Sequence, residues 1–588
     1  MSCLIYQISS IDLVRREFII SLTINEFPAS TPLFFTLPTW TPGSYLIREY
    51  SGSITSVTAR QSSLPLAVEK IEKNLFSILP LDESPVCVSY RVSAVDNSVR
   101  RLWISREFAF LTGAAAFLYP KGMKTLPCEV SIHLPEDDWR IATALKKPGT
   151  SLVFSAACYD ELIDCPVMMA PAANLQQSEF TAGGALHRIS LFGCPRADLR
   201  RLTEDTKKIC ETEAAFWSSP KKAPFPSYDF LISTSAGNWG GLEHRNSVAA
   251  AAPASALPFP GAEPPEKYTE LLALLAHEYF HAWNVKRMKP ARFMPYDLSK
   301  ENYTTLLWFF EGFTEYYEEI LLWRAGLISK QKLLERLSAF FLRVYSHTGH
   351  KFQSLSDSSF DTWIKLYRPD DNSQNTGVSY YVKGALAALA LDLKIRTTTQ
   401  GKHCLDHAMA CLWKKFSQDG LGLSEDAGEI IDAISSVSET PREEVASWIH
   451  ALCFSTTPIP WEGLLEAEGL ALEETKSDFW RDILGIRLAT DPARCVIASV
   501  SAGGSAAAAG LLPEDELIAA DDFRLEKSGA EELFRQLGNN EVKLFFFRGN
   551  RLLSVKIAIC LKNPAPKCRL TLLPGKSGSW PEAIPQAA

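Results

Sequence analysis

No CxxC pair occurs among the thirteen cysteines of this 588-residue chain, which excludes zinc ribbons and thioredoxin-like redox motifs. The cysteines are sparse and odd in number, so they read as buried free thiols and not as a disulfide framework. No stretch reaches the roughly 18 uncharged apolar residues of a membrane-spanning helix, so no membrane partner is expected. The start, MSCLIYQISSIDLVRREFII, has no basic segment followed by an unbroken apolar core; a cleavable signal peptide is not expected, and a cytoplasmic location is. Basic excess is missing too. Sixty Lys and Arg stand against 68 Asp and Glu, a net charge of −8, which argues against a general nucleic-acid binder. Repeats of solenoid period are also absent. What the chain has in quantity is aromatic: 14 Trp, 17 Tyr and 32 Phe make up 11% of it. With 46% hydrophobic residues it can build several cores, and its length predicts about three to five domains.

Residues 1–172 carry short alternating or β-branched runs (EFIISLTI, LFFTL, VCVSYRVSAV, EVSIHL) separated by Pro, Gly, Ser and Asp, which predicts an antiparallel β-rich domain. HRISLFG and YDFLIS extend the strand pattern, with a helix near Arg196–Trp217 between them. After about residue 250 the period becomes helical. Glu266–Arg287, Tyr303–Arg324, Lys330–Tyr345, Ser379–Thr397 and Leu405–Phe416 are the clearest helices, with Asn302 as a candidate N-cap and Gly326 as a helix terminator. STTPIPWEG at 455–463 reads as a boundary, and residues 563–588, rich in Pro, Gly, Lys and Ser, as a loosely held tail.

His277-Glu278-Tyr279-Phe280-His281 is an HExxH sequence inside a run free of Pro and Gly. Spacing i, i+4 puts both imidazoles on one helix face, where they can ligate one metal ion, and leaves Glu278 beside it as a general base toward metal-activated water. A third ligand is expected on a second helix. Glu311 lies 30 residues after His281, among Trp308, Phe309, Phe310 and Phe313, where a carboxylate is costly without a cation. Glu315, four positions on, is placed to accept a hydrogen bond from a ligand histidine, although Glu318 and Glu319 behind it suggest an exposed edge. Two histidines, one carboxylate and an open position describe a catalytic zinc site.

On these residues EGFTEYY resembles the glutamate-bearing helix of gluzincin metallopeptidases, which have a thermolysin-like catalytic domain. The interval to Glu311 is longer than usual there and implies an inserted loop, with KRMKPARFMPYDLSKENYT as the candidate. Gly240-Gly241-Leu242-Glu243-His244 resembles the edge-strand motif of the glycyl aminopeptidase family, in which the glutamate holds the substrate's free α-amino group. The physics agrees: glycines admit a peptide backbone closely, and Glu243 pairs with an ammonium. Tyr381-Val-Lys-Gly384 resembles the motif whose tyrosine supports the oxyanion; neighbouring Tyr380 is the alternative ring. Trp40-Thr-Pro-Gly-Ser-Tyr-Leu-Ile-Arg-Glu49, HEYFHAWNVKRMKP and ENYTTLLWFFEGFTEYY extend the likeness to that family over nearly the whole chain.

Near the C-terminus, Leu484-Gly485-Ile486, then VIASV, SAGGSAAAAGLLPEDELIAADDFRL, EELFRQLG and VKLFFFRGNRLLSVKIAI, resemble a PDZ domain, with Glu514-Asp515 in place of the usual Gly-Asp turn. The resemblance implies a multidomain α+β protein: an N-terminal antiparallel β-domain (1–172), a thermolysin-like catalytic domain (173–460, its β-part ending near 250), a PDZ-like domain (461–562) and the tail. It also implies a one-zinc aminopeptidase acting on peptides with a free N-terminus and small first residues, glycine or alanine. Two competing readings are a thermolysin-like endopeptidase and a PDZ peptide-binding scaffold with a vestigial metal site.

Overall fold

A computed structural model describes all residues except 1–2, 29–30, 219–220, 418–420, 477, 492–493, 538–540, 560–565, 577 and 585–588. The chain is multidomain α+β and divides into two compact units.

The first unit spans 1–302 with 324–327 and 413–423. Its front is β-sandwich-like. A seven-stranded sheet is centred on Leu4–Asp12, Glu17–Ile24 and Val86–Ser93, and two four-stranded sheets accompany it. The run EFIISLTI shows why. Phe18, Ile20, Leu22 and Ile24 alternate into the core while the residues between them stay partly exposed, the signature of a sheet with one solvated face. A five-stranded sheet follows, in the order Leu175–Ala182, Ala185–Phe192, Ser227–Thr234, Ser247–Ala252, Gly240–Glu243. Its three inner strands are parallel, and Ser247–Ala252 (SVAAAA) is buried at every position, as a strand covered on both faces must be. The helix Leu199–Trp217 lies between two of these strands in sequence, close to the span the periodicity predicts.

The helix Glu266–Phe280 starts after Pro265 and buries Tyr268, Leu271, Leu272, Leu275, Ala276 and Tyr279, an i, i+3, i+4 stripe. It stops at His281, six residues before the predicted end at Arg287. The cationic residues expected to continue it instead fold back on its C-terminus. Arg287 donates to the carbonyl of Ala282 at 2.7 Å, and the Lys286 amide donates to that of His281 at 3.0 Å, which satisfies the terminal carbonyls. Val285 sits at φ 107° in this turn, a strained conformation for a β-branched residue.

In the second unit (303–323, 328–412 and 424–588) the predicted helix from Tyr303 begins later, as a π-helical turn at Trp308–Gly312 that passes into an α-helix over Phe313–Arg324. Asn302 does not cap it; its side chain holds the Asp297–Lys300 turn instead. The helices Lys330–Tyr345, Tyr380–Thr398 and Leu405–Phe416 match their predicted spans within one residue. Gly312 and Gly384 let the π-turn and the Tyr380–Thr398 helix meet backbone to backbone: a Cβ on Gly312 would stand 2.5 Å from the Gly384 Cα. Glu318 and Glu319, read as an exposed edge, are buried, and Glu319 is ion-paired with Arg336.

Residues 479–559 build a separate core around Phe479, Leu484, Ile497, Leu517, Phe534, Leu544 and Ile557, under a sheet of six strands. Glu514 takes φ 69°, the conformation glycine favours, and Asp515 behind it is buried and held by both Nε and a terminal nitrogen of Arg548 at 2.8 Å. The tail departs from expectation. Lys567–Leu572 is a strand paired with Leu470–Glu474, and Trp580 is buried with its indole nitrogen donating to the Tyr316 hydroxyl at 3.0 Å. The isolated sequence hides this because the anchor is one aromatic residue in a Pro- and Gly-rich context.

Candidate active site

Gly240–Glu243 is the terminal strand of its sheet, paired with Ser247–Ala252 through Gly240↔Ala251 and Glu243↔Val248. The HExxH helix packs against it so closely that a Cβ on Gly241 would overlap the Glu278 carboxylate. Gly241 is therefore what lets an edge strand, with backbone groups able to receive another strand, lie beside the candidate base. Glu243 and Glu278 are both buried, at 5% exposure each. Burial, and then the Glu243 charge, push the Glu278 carboxyl up to about 7, against the opposing pull of His277, His281 and Arg100. A carboxylate poised there can take and return a proton near neutrality.

His277 and His281 are buried with ring centroids 4.6 Å apart and nearly perpendicular. Nδ1 of His281 lies 2.9 Å from the carbonyl of Asn284, the arrangement that assigns the proton to Nδ1 and the lone pair to Nε2. Among the described residues, the side chains with donors suited to a metal ion are His277 and His281 in the first unit and Glu311, Glu315 and Glu318 in the second. Glu311 is buried in the π-helical turn, and Glu315 is half-buried one turn on. Oε2 of Glu278 is buried with no hydrogen-bond partner among the described residues, as expected of an oxygen waiting for water or substrate. The donor set and this orphaned oxygen both fit a metallopeptidase centre.

Tyr381 and Tyr380 open the helix of the second unit and are stacked on each other. They are not equivalent. Tyr380 is buried and its hydroxyl is 2.9 Å from that of Thr362, whereas Tyr381 is half-buried with its hydroxyl 3.1 Å from that of Tyr367.

Several residues that periodicity does not flag hold this site. Gly43 (φ 91°), in the Trp40–Glu49 stretch, faces the Glu243 carboxylate with no room for a side chain. That stretch is seated on the loop after the HExxH helix: the Trp40 indole donates to the carbonyl of Asp297 at 2.9 Å and the Thr39 amide to that of Leu298 at 2.9 Å. Arg100 donates to the carbonyl of Gly241 at 2.8 Å. Asp164 accepts from Lys286 at 2.8 Å and from the Arg245 amide at 2.7 Å, and its other contact is the buried His244 ring. Burial alone would raise the Asp164 carboxyl, but Lys286 and His244 outweigh it and hold it well below the usual range. The aromatic excess has a place as well: Tyr279, Phe280 and Trp283 stack with Trp217, Phe225 and Tyr228 behind the helix, all in the core.

The order of these features has a counterpart in known proteins. The M61 glycyl aminopeptidase model matches residues 270–387, and the peptidase M61 N-terminal domain matches 5–171. An aminopeptidase N family protein from Idiomarina loihiensis superposes with a TM-score of 0.89 at 32% identity, over 97% of this chain and 98% of that one. The chain belongs to the M61 glycyl aminopeptidase family. As an M61 peptidase it takes peptides as substrates. Legionella pneumophila aminopeptidase A, solved with aspartic acid, matches at 13% identity with a TM-score of 0.46, over 96% of this chain and 56% of that one. No curated protein matches the chain. Among the described residues no helix is long and apolar enough to cross a membrane.

Proposed function

We propose that this M61 peptidase is a zinc aminopeptidase that removes a small N-terminal residue, glycine or alanine, from peptides. The observation that carries the reading is the pair of buried carboxylates, Glu243 and Glu278, brought together across the side-chain-free Gly241. One serves as anchor and the other as base.

His277, His281 and Glu311 would hold one zinc ion, with Glu315 behind a ligand histidine. Zinc, when bound, supplies Lewis-acid polarisation of the scissile carbonyl and makes water more acidic. The remaining work falls to the chain. The substrate lies along the Gly240–Glu243 edge, and Glu243 accepts its ammonium group, which sets the cleavage one residue from the N-terminus. Glu278 takes a proton from the attacking water and returns it to the leaving amine. Tyr381 donates to the developing oxyanion; its hydroxyl, unlike that of the buried Tyr380, is not sealed in the core. The surrounding aromatic layers exclude bulk water.

The architecture we read is an N-terminal β-domain to residue 172, a thermolysin-like catalytic domain over 173–460, and a PDZ-like domain over 461–562 that takes an extended peptide or protein ligand. Cysteines that are free in all described positions suit a cytoplasmic setting.

Hydrolysis of a panel of aminoacyl amides, with and without chelator, tests the proposal. Cleavage is expected to be best for Gly and Ala amides, abolished by chelation and restored by zinc. Equal cleavage of N-acetylated peptides would remove Glu243 from its role and make the enzyme an endopeptidase. Glu278→Gln is expected to keep the metal and lose about 10²–10⁴-fold in kcat.

A further inference from the structure

Within the second unit a cavity of about 420 Å³ opens between the Lys330–Tyr345 helix and the segment 364–382. Its walls include Arg343, His347, His350, Gln353, Arg368 and Gln374. Four nitrogens among these are buried and have no hydrogen-bond partner among the described residues: Nδ1 of His347, Nδ1 of His350, Nε2 of Gln353 and Nε2 of Gln374. The amide orientations follow from their oxygens. Oε1 of Gln353 accepts from the Val378 amide at 3.0 Å and Oε1 of Gln374 from the Ser499 hydroxyl at 3.0 Å, so both NH₂ groups are left as unused donors. Gln353 is 5% exposed, and a buried amide donor without an acceptor costs about 1–3 kcal/mol.

The charge around the cavity has one dominant sign. Arg343 and Arg368 have no carboxylate partner among the described residues. Lys383, 5% exposed, lies near His350, and Arg481 and Arg487 act on His347 from the C-terminal core. Burial, and then Arg481 and Arg487, lower the His347 imidazole below its ordinary value; burial lowers His350 as well, against the opposing pull of the His347 backbone and with help from Lys383. Asp361 is paired with Lys365 and Asp482 with Arg481, which leaves Asp370, held by Ser373 and the Asn372 amide, as the one carboxylate among the described lining residues.

We propose that this cavity binds a small oxyanion, of phosphate or carboxylate class, between the Gln353 and Gln374 amides and the Arg343 and Arg368 guanidinium groups. The anion supplies the acceptors the Gln353 and Gln374 amides lack and the counter-charge the two guanidinium groups lack. It also occupies a junction. The cavity segment carries Asn375, which bonds the carbonyl of Val500 and the amide of Ala502 at 2.8 Å each, and it runs directly into Tyr380 and Tyr381.

The test is calorimetric titration of the full-length protein with inorganic phosphate and, separately, with malate at constant ionic strength. One of the two is expected to bind saturably, and which one identifies the source of the anion. The double variant Arg343→Gln/Arg368→Gln changes only exposed side chains and is expected to weaken that binding at least about tenfold, while Arg200→Gln, an exposed arginine elsewhere, leaves it unchanged. Absence of saturable binding of either anion, or binding indifferent to the double variant, overturns the proposal.

Discussion

Gly43 stands against the Glu243 carboxylate with no space for a Cβ between them. The Trp40–Glu49 stretch is thus a wall of the proposed amine pocket, delivered from the β-domain and pinned through Trp40 to the loop that follows the HExxH helix. Gly43→Ala is expected to push Glu243 out of place. A displacement of about 1 Å in a positioning group costs about 10²-fold, so kcat/KM on a glycyl amide falls by that order. Zinc content stays unchanged. A variant with full activity would show that Glu243 does not position the substrate.

Gly384 meets the π-turn at Trp308 and Gly312. Gly384→Ala places a methyl group 2.8 Å from the Trp308 carbonyl and is expected to cost about 1–3 kcal/mol of stability through overpacking. Because the displaced turn carries Glu311, metal affinity is expected to fall as well. Thermal unfolding with and without chelator separates the two effects: the chelator shift shrinks if the ligand has moved.

The Asp164–Lys286 pair ties the strand bearing Glu243 to the turn after His281. Asp164→Asn is expected to destabilise by about 3 kcal/mol, since it strands a buried lysine. Its folded pKa lies below the unfolded value of about 3.9, so the contribution is complete above that pH and is lost as pH falls through the folded value. Denaturation of the two proteins should therefore differ by a constant amount from pH 7 to about 4 and converge only below it.

His187 behaves in the opposite sense. Burial lowers it to about 4, and with Nδ1 donating to the Ala185 carbonyl, Nε2 accepts from the Tyr279 hydroxyl at 2.8 Å. Between about pH 6.5 and 4 the unfolded chain binds a proton the folded one refuses, so stability falls as pH falls across that window. His187→Gln is expected to flatten that slope in urea unfolding at pH 7, 6 and 5. An unchanged slope would mean the ring is already charged in the fold.

Much of this site was legible because catalysis restricts residue choice at short spacing. HExxH, the glutamate among aromatics and the Gly-Gly strand each require a local pattern that burial alone does not produce. What was not legible has a common cause. Gly43, Arg100 and Asp164 act through partners more than eighty residues away in sequence, and no periodicity records such a contact. The late start of the Glu311 helix was hidden for a different reason: WFFEG suits an α-helix as well as a π-turn, and the close Gly312–Gly384 crossing is tertiary. Glu318 and Glu319 looked solvated because consecutive acids usually are, yet Arg336 from the next helix makes a buried position tolerable for Glu319.

The C-terminal strand offers a further check. Trp580 fills a site beside Tyr316, and Arg396, wholly buried, donates to the carbonyls of Ser579 and Glu582 at 2.9 Å. Trp580→Ala is expected to cost about 3–5 kcal/mol, read as a drop in the urea midpoint. A loosely attached tail would show almost none.

The pairing of Leu470–Glu474 with Lys567–Leu572 has a practical meaning for the sheet region between them. Its chain leaves and re-enters through neighbouring backbones, closed at the base where the Thr475 amide donates to the Pro566 carbonyl at 3.0 Å. Everything beyond that point is one insertion, entered through a two-strand stem and docked on Gln374 and Asn375 through Ser499, Val500 and Ala502. A short turn joining residue 475 to 566 would remove the insertion while keeping the Trp580 anchor, and a folded domain of any length could be spliced into the same opening.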